Sequence, residues 1–283
     1  MSKIERRYFL QSLATLALAT PWLPVRAADA PLRMGVHPYS STLALVATHR
    51  PLVQYLERTL QRSIEFYTAA NFDAYLKSLM AGEYDIVITP PHFGVLAIEK
   101  KEYLPLANYQ ARLEPMFVVS KSSRIDKASD FAGKRIAMSD KTAFIRIVMV
   151  KQLADAGLIA GRDYEIVERP THGASVLAVI RGEADAGLAT FTVMKLQPPD
   201  VVQQLRPVLA DQTYPNLFTL AHQRLGSLLG PLKKALRDFA DSPEGKLFFE
   251  KTGYFGFDDI TAAELAALTP YIQMTRQLLP VAQ

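Results

Sequence analysis

Asn71 to Glu99, NFDAYLKSLMAGEYDIVITPPHFGVLAIE, reads as helix, tight turn, buried strand, polar loop and helix. Phe72, Tyr75, Leu76, Leu79 and Met80 recur at helical spacing. Gly82 stands where a helix C-cap is expected. Tyr84 to Ile88 is a short apolar run, the mark of a parallel strand covered on both faces. Thr89-Pro90-Pro91-His92-Phe93 leaves the strand at its carboxyl end, and a new helix opens at Phe93. Ligands in open α/β sheets sit beyond the carboxyl ends of strands, so this loop is the first candidate binding surface.

The same pattern recurs further along. LMAGEYDIVIT at Leu79 to Thr89 parallels VIRGEADAGLAT at Val179 to Thr190: a helix end, Gly-Glu, then Asp and an apolar strand. Upstream, LRMGVH is a strand, a helix runs to about Leu60 with Pro51 as a kink or break, and SIEFYT alternates like a strand. Downstream, PMFVVS and Arg135 to Met138 are strands, Ala143 to Ala156 is a helix closed by Gly157, and Tyr164 to Glu168 is another strand. Helix follows from Ser175 to Arg181, and the chain turns helical again from Gly230. This is an α/β chain of two matching halves. It predicts two lobes, each a mainly parallel sheet flanked by helices, with a ligand cleft between them. The expected lobes are residues 28–108 and 109–214, and residues 215–283 return through a hinge to pack their helices toward the first lobe.

The 283 residues suffice for two medium domains. A formal charge of +4 could suggest a nucleic-acid partner. Much of it lies in the first 27 residues, where Lys3, Arg6, Arg7 and Arg26 face only Glu5, so the remainder is near neutral and no nucleic-acid partner is expected. That segment has a basic start, an uncharged stretch from Tyr8 to Val25, and Val25-Arg26-Ala27 as a cleavage site before Ala28. Arg6-Arg7-Tyr8-Phe9-Leu10-Gln11 resembles the twin-arginine export consensus, which predicts a periplasmic protein. The absence of cysteine excludes disulfides, thiolate metal sites and a Cys nucleophile.

Enzyme motifs are missing. There is no G-x-S-x-G, G-x-G-x-x-G or Walker loop. Histidines 37, 49, 92, 172 and 222 include no pair at metal-ligand spacing on one helix, so neither metal nor cofactor is expected. Four polar loops between strand and helix carry the chemistry instead: Tyr39 to Ser41, Thr89 to His92, Ser139 to Thr142 and Thr171 to Gly173. Each can offer free backbone N–H groups and a positive dipole end to an anion.

The order of these motifs resembles the periplasmic phosphate/phosphite/phosphonate-binding proteins of ABC transporters, a branch of the type II solute-binding fold. The resemblance covers the mature chain through MGVHPYSS, RPLVQYLERTL, AANFDAY, AGEYDIVIT, FAGKRIAMSDKT, Thr171-His172-Gly173-Ala174-Ser175 and SPEGKLFFEKTGYFGFDDIT. It implies a monomeric protein that captures a small solute, an oxyanion or phosphonate-like anion, and delivers it to a membrane permease. A sensor kinase as the partner, or an exported enzyme on the same fold, are the alternatives. Two departures stand out. The family's Ser-Thr-Ser-like cradle falls at Ala143-Phe144-Ile145, and its loop tyrosines correspond to Phe72 and Phe93. The expected donors are then Tyr39, Ser40, Ser41, Thr89, His92, Lys141, Thr142 and His172, with Phe72, Phe93 and Tyr39 as walls.

Overall fold

The computed structural model describes residues 30–279. The export segment expected over residues 1–27 lies outside the described residues. Two mixed sheets organise the chain. The first half runs β1 (Leu32–Val36), α1 (Thr42–Leu60), β2 (Ile64–Tyr67), α2 (Phe72–Met80), β3 (Ile86–Thr89), α3 (Pro91–Glu99) and β4 (Tyr103–Tyr109). The second runs β5 (Pro115–Ser120), β6 (Arg135–Met138), α4 (Phe144–Asp155), β7 (Glu165–Glu168), α5 (His172–Ile180), β8 (Ala186–Thr190), α6 (Phe191–Lys195), α7 (Pro199–Val202) and β9 (Leu205–Val208). The chain then returns through β10 (Phe218–His222), α8 (Leu229–Asp241), α9 (Pro243–Thr252), β11 (Phe257–Asp258), α10 (Ala262–Ala267) and α11 (Thr269–Leu278).

One sheet has the order β11-β4-β10-β3-β1-β2, the other β7-β6-β8-β5-β9. Parallel pairing holds where βαβ units make it, in β2-β1-β3 and β7-β6-β8. The crossing and returning strands pair antiparallel, β10 with β3 and β4, and β5 with β8 and β9. The expectation of mainly parallel sheets therefore describes only the βαβ core of each lobe. The helix α1 runs unbroken through Pro51, and α5 starts at His172, earlier than the apolar periodicity alone suggests.

The internal repeat is built from one electrostatic device used twice. Asp85 accepts a hydrogen bond from the Arg33 backbone N–H at 2.8 Å, and Asp185 does the same for Arg135 at 2.8 Å. Each thereby fixes the start of a central strand against its neighbour. Gly82 and Gly182 precede them in the left-handed region, at φ +68° and +69°, where a side chain would be strained. Asn71 caps α2 through the Ala74 N–H, and Thr171 caps α5 through the Ala174 N–H.

Apolar side chains from α1, α8 and α9, including Leu45, Leu52, Leu56, Leu236, Phe239 and Phe248, pack on one side of the first sheet. A second core is continuous across both lobes and holds Phe93 and Phe218 together with Phe144 and Tyr214. The helix α11 lies against both α3 and α4. Its Tyr271 packs edge-on against Phe144 and donates to or accepts from the Tyr214 hydroxyl at 3.0 Å.

The α8–α9 corner tolerates no side chain at Gly245. A Cβ there would lie 1.7 Å from the Phe239 carbonyl oxygen, a backbone atom that cannot swing away. Gly245→Ala should therefore cost about 3 kcal/mol and lower the melting temperature by about 10 °C. An unchanged thermal denaturation curve would refute this packing.

Candidate functional site

A small cavity, of about 40 Å³, lies between the two sheets. The first half contributes His37, Tyr39, Phe72 and Pro90, and the second Phe144, Ile145, His172, Thr190, Thr192 and Val193. Leu113, Asn216, Leu217 and Tyr254 complete the wall from the crossing and returning segments.

The helices explain why these residues meet. Phe72 is the first residue of α2 and Pro90 the N-cap of α3. Phe144 and Ile145 open α4, and His172 opens α5. Thr190 is the N-cap of α6, with Thr192 and Val193 in its first turn. Five helix N-termini thus converge on one cavity. Four first-turn amides of a helix have no partner within it, and the aligned peptide dipoles put partial positive charge at that end. The α2, α5 and α6 ends are partly occupied by their Asn71, Thr171 and Thr190 caps. At α4 the cap is Ala143, which supplies no side-chain acceptor. The Phe144 and Ile145 amides therefore lack one, as do the first-turn amides of α3, whose cap is Pro90.

The lining contains no Lys, Arg, Asp or Glu. Its histidines are neutral near pH 7. Burial, then repulsion from His172, holds His37 well below its ordinary value. Burial lowers His172 to about 4 against an opposing pull from Asp140. Burial also pushes the hydroxyls of Tyr39 and Tyr254 up, so both remain protonated hydrogen-bond donors. The Tyr254 hydroxyl interacts with those of Tyr39 and Thr192, joining the two halves beside the cavity. The cavity therefore combines neutral donors and helix dipoles with an apolar wall of Phe72, Leu113, Phe144, Ile145, Val193 and Leu217.

Tyr39, Phe72 and His172 are the residues expected from sequence that line this cavity. Phe72 and His172 occupy matching positions of the repeat and meet edge-on, with ring centroids 6.0 Å apart. His172 Nδ1 lies 2.7 Å from the Ser139 hydroxyl, which sets the ring's orientation.

The other expected residues are placed elsewhere, each for a local reason. Ser41 is exposed and caps α1 through the Ala44 N–H, and Ser40 is only half-buried. Lys141 is exposed, so its ammonium group stays in water. Thr89 is buried in the β3–β10 pairing, opposite Phe218. Phe93, in the first turn of α3, is fully buried and packs against His92, with centroids 4.2 Å apart. The Thr142 hydroxyl and amide both donate to Asp140, at 2.7 and 2.8 Å, so they are spoken for. His92 turns away from the cavity: its Nε2 donates to the Thr142 carbonyl at 2.9 Å, tying α3 of the first lobe to the β6–α4 loop of the second.

Pro90 and the segment from Thr190 to Val193 are lining residues that loop polarity alone does not single out. Carrying the repeat register from Gly82 to Gly182 onward superposes Pro90 on Thr190 and His92 on Thr192, and would have found them. Leu113, Asn216, Leu217 and Tyr254 carry no such local signal.

The sequence profile of a family described as ABC transporter, phosphonate, periplasmic substrate-binding protein matches residues 34–265. The chain belongs to this family, whose members are solute-binding proteins and not enzymes. The phosphate-import protein PhnD of Mycolicibacterium smegmatis is 24% identical over 184 residues, which is 58% of this chain and 56% of that protein. The chain thus spans little more than half the length of this relative. PhnD1 from Prochlorococcus marinus, solved in complex with methylphosphonate, superposes with a TM-score of 0.75 at 17% identity, over 88% of this chain and 98% of that one. A binding-protein component of an ABC phosphonate transporter from Pseudomonas aeruginosa gives 0.77 at 15% identity, over 88% of each chain. At these identities the structures share the two-lobed type II fold.

Among the described residues no helix is long and apolar enough to cross a membrane, and no group of His, Asp and Glu could hold a metal ion.

Proposed function

We propose that this protein is the periplasmic component of an ABC importer, capturing a small oxyanion that bears an apolar substituent and presenting it to a membrane permease. The observation that carries this reading is the convergence of five helix N-termini on a cavity free of charged side chains. Backbone amides can hold an anion without a counter-cation, as helix N-termini do generally. The Phe144, Ile145 and Val193 side chains then suit an alkyl group better than a fourth oxygen. Solute contacts to both lobes would favour the closed arrangement and make it readable by a partner.

In this reading the lobes are residues 28–108 and 109–214, with 215–283 returning toward the first. The protein acts as a monomer, and residues 1–27 direct export by the twin-arginine route. A thermal-shift panel of methylphosphonate, phosphite, phosphate and short carboxylates tests the assignment. At a hundredfold excess over Kd the right solute should add about 2.7 kcal/mol of apparent stability, or about 8 °C. No shift with any of these anions would sink the anion assignment, and chemical conversion of a bound solute would sink the binding-only role.

A further inference from the structure

Phe144 is the first residue of α4 in the second lobe and is 2% exposed. Three other rings surround it, each from a different part of the chain. His92 of α3 in the first lobe lies with its centroid 5.1 Å away. Tyr214, which pairs with Leu113 where the two crossing segments run side by side, stands edge-on at 5.4 Å. Tyr271 of α11 stands edge-on at 5.4 Å as well. Tyr214 and Tyr271 meet each other at 90°, again with centroids 5.4 Å apart, and their hydroxyls are 3.0 Å apart. Phe144, Tyr214 and Tyr271 thus form a closed triangle of edge-to-face rings, an arrangement that aromatic quadrupoles favour. Phe144 lines the cavity, and Tyr271 is not among its lining residues.

The segment that carries Tyr271 is anchored to the first lobe. β11 pairs with β4, and Arg276 of α11 pairs with Glu99 of α3. The Glu264 carboxylate of α10 accepts from the Asn108 amide of β4 at 3.1 Å and from the Arg112 guanidinium at 3.0 Å. Against the second lobe α11 lies on α4, where Tyr271 meets Phe144. Tyr271 therefore travels with the first sheet and Phe144 with the second. Parting the lobes about the crossing segments has to break this contact, and no solute atom takes part in it.

We propose that Tyr271 is a positioning residue for the solute site: from the C-terminal helix, outside the cavity, it holds Phe144 in the closed arrangement and so keeps the uncapped start of α4 facing the first lobe. The contact adds a closing free energy that every solute shares, so Tyr271 scales affinity without choosing among solutes. The inference presupposes lobes that part and close, as the capture reading above does, and no particular solute.

The chain holds no cysteine, so a pair of spin labels goes only where cysteines are introduced. Lys77, in the last turn of α2, and Arg181, the C-cap of α5, are exposed and stand on opposite lobes. With Lys77→Cys and Arg181→Cys labelled in the full chain, dialysed against solute-free buffer, double electron–electron resonance should show a population at the separation of this structure. Adding Tyr271→Ala should move population to longer distances and lower the closed-to-open ratio about tenfold. Tyr271→Phe keeps the ring and should stay within about threefold of the labelled parent. Arg276→Gln loosens α11 from α3 within the first lobe and should leave the distribution unchanged, which sets a contact between lobes apart from general packing of the helix. Should Tyr271→Ala fail to fold, Tyr271→Leu, which keeps the bulk without the ring, must shift the distribution in the same direction. A parent wholly at an open separation, a distribution that neither Tyr271→Ala nor Tyr271→Leu moves, or equal opening in Arg276→Gln overturns the proposal and leaves the capture reading standing. Failure of methylphosphonate, phosphite, phosphate and carboxylates to bind would sink the anion assignment and leave this solute-free result as it is.

Discussion

Lowering the pH from about 7 to about 4.5 should unfold this protein. His49, His92 and His172 are buried, and burial lowers them to about 4, about 3 and about 4 from the ordinary 6.5. The unfolded chain binds protons on these rings below 6.5, and the folded chain does not. The stability they hold is fully present above 6.5 and is lost as the pH falls toward the folded values. Each group costs about 1.4 kcal/mol per pH unit over that window. At about pH 4.5 the three together cost about 8 kcal/mol, comparable with the whole stability of a typical domain. His37 is shifted in the same direction and adds to the slope. Urea midpoints measured across this range check the expectation. His49→Gln replaces a ring outside the cavity lining and should flatten the slope by about 1.4 kcal/mol per pH unit. Stability that stays level down to pH ~4.5 would refute the neutral burial of these rings.

Ile145→Asp should reduce oxyanion affinity by at least about a hundredfold. Ile145 is the second residue of α4, lines the cavity and is 3% exposed. A carboxylate there would claim the uncapped amides for itself and set a like charge against the solute. The same helix end favours the new charge, so folding should survive, which the melting temperature reports. Ile145→Asn has nearly the same shape without the charge and should lose about tenfold or less. Equal losses in the two variants would show that shape, not charge, governs the site.

The architecture was legible because it is written locally. The alternation of strand and helix, the glycines at +68° and +69° and the paired Asp85 and Asp185 all act within a few residues of where they stand or on the adjacent strand. The family resemblance added the order of the lobes. The mixed pairing of the sheets was not legible, since β10 meets β3 and β4 only after a long detour through the second lobe. The site was legible in part for the same reason. Tyr39, Phe72 and His172 belong to strand-exit loops and helix starts, which the repeat marks. Asn216, Leu217 and Tyr254 arrive from the returning chain, where their neighbours in sequence say nothing about the cavity. Residue type also misleads about direction. Thr142 and His92 are polar residues just past strand ends, but Asp140 captures one and the Thr142 carbonyl captures the other.

That last bond has a cost in information. His92 Nε2 to the Thr142 carbonyl joins protein to protein across the lobes and contains no solute atom. Its free energy favours closure by the same amount whether the cavity is filled or not. Only contacts that include the solute can separate the loaded from the empty closed state. Any partner that reads closure therefore works against a background that His92 raises, and the fidelity of loading must be carried by the few donors and amides around the cavity itself.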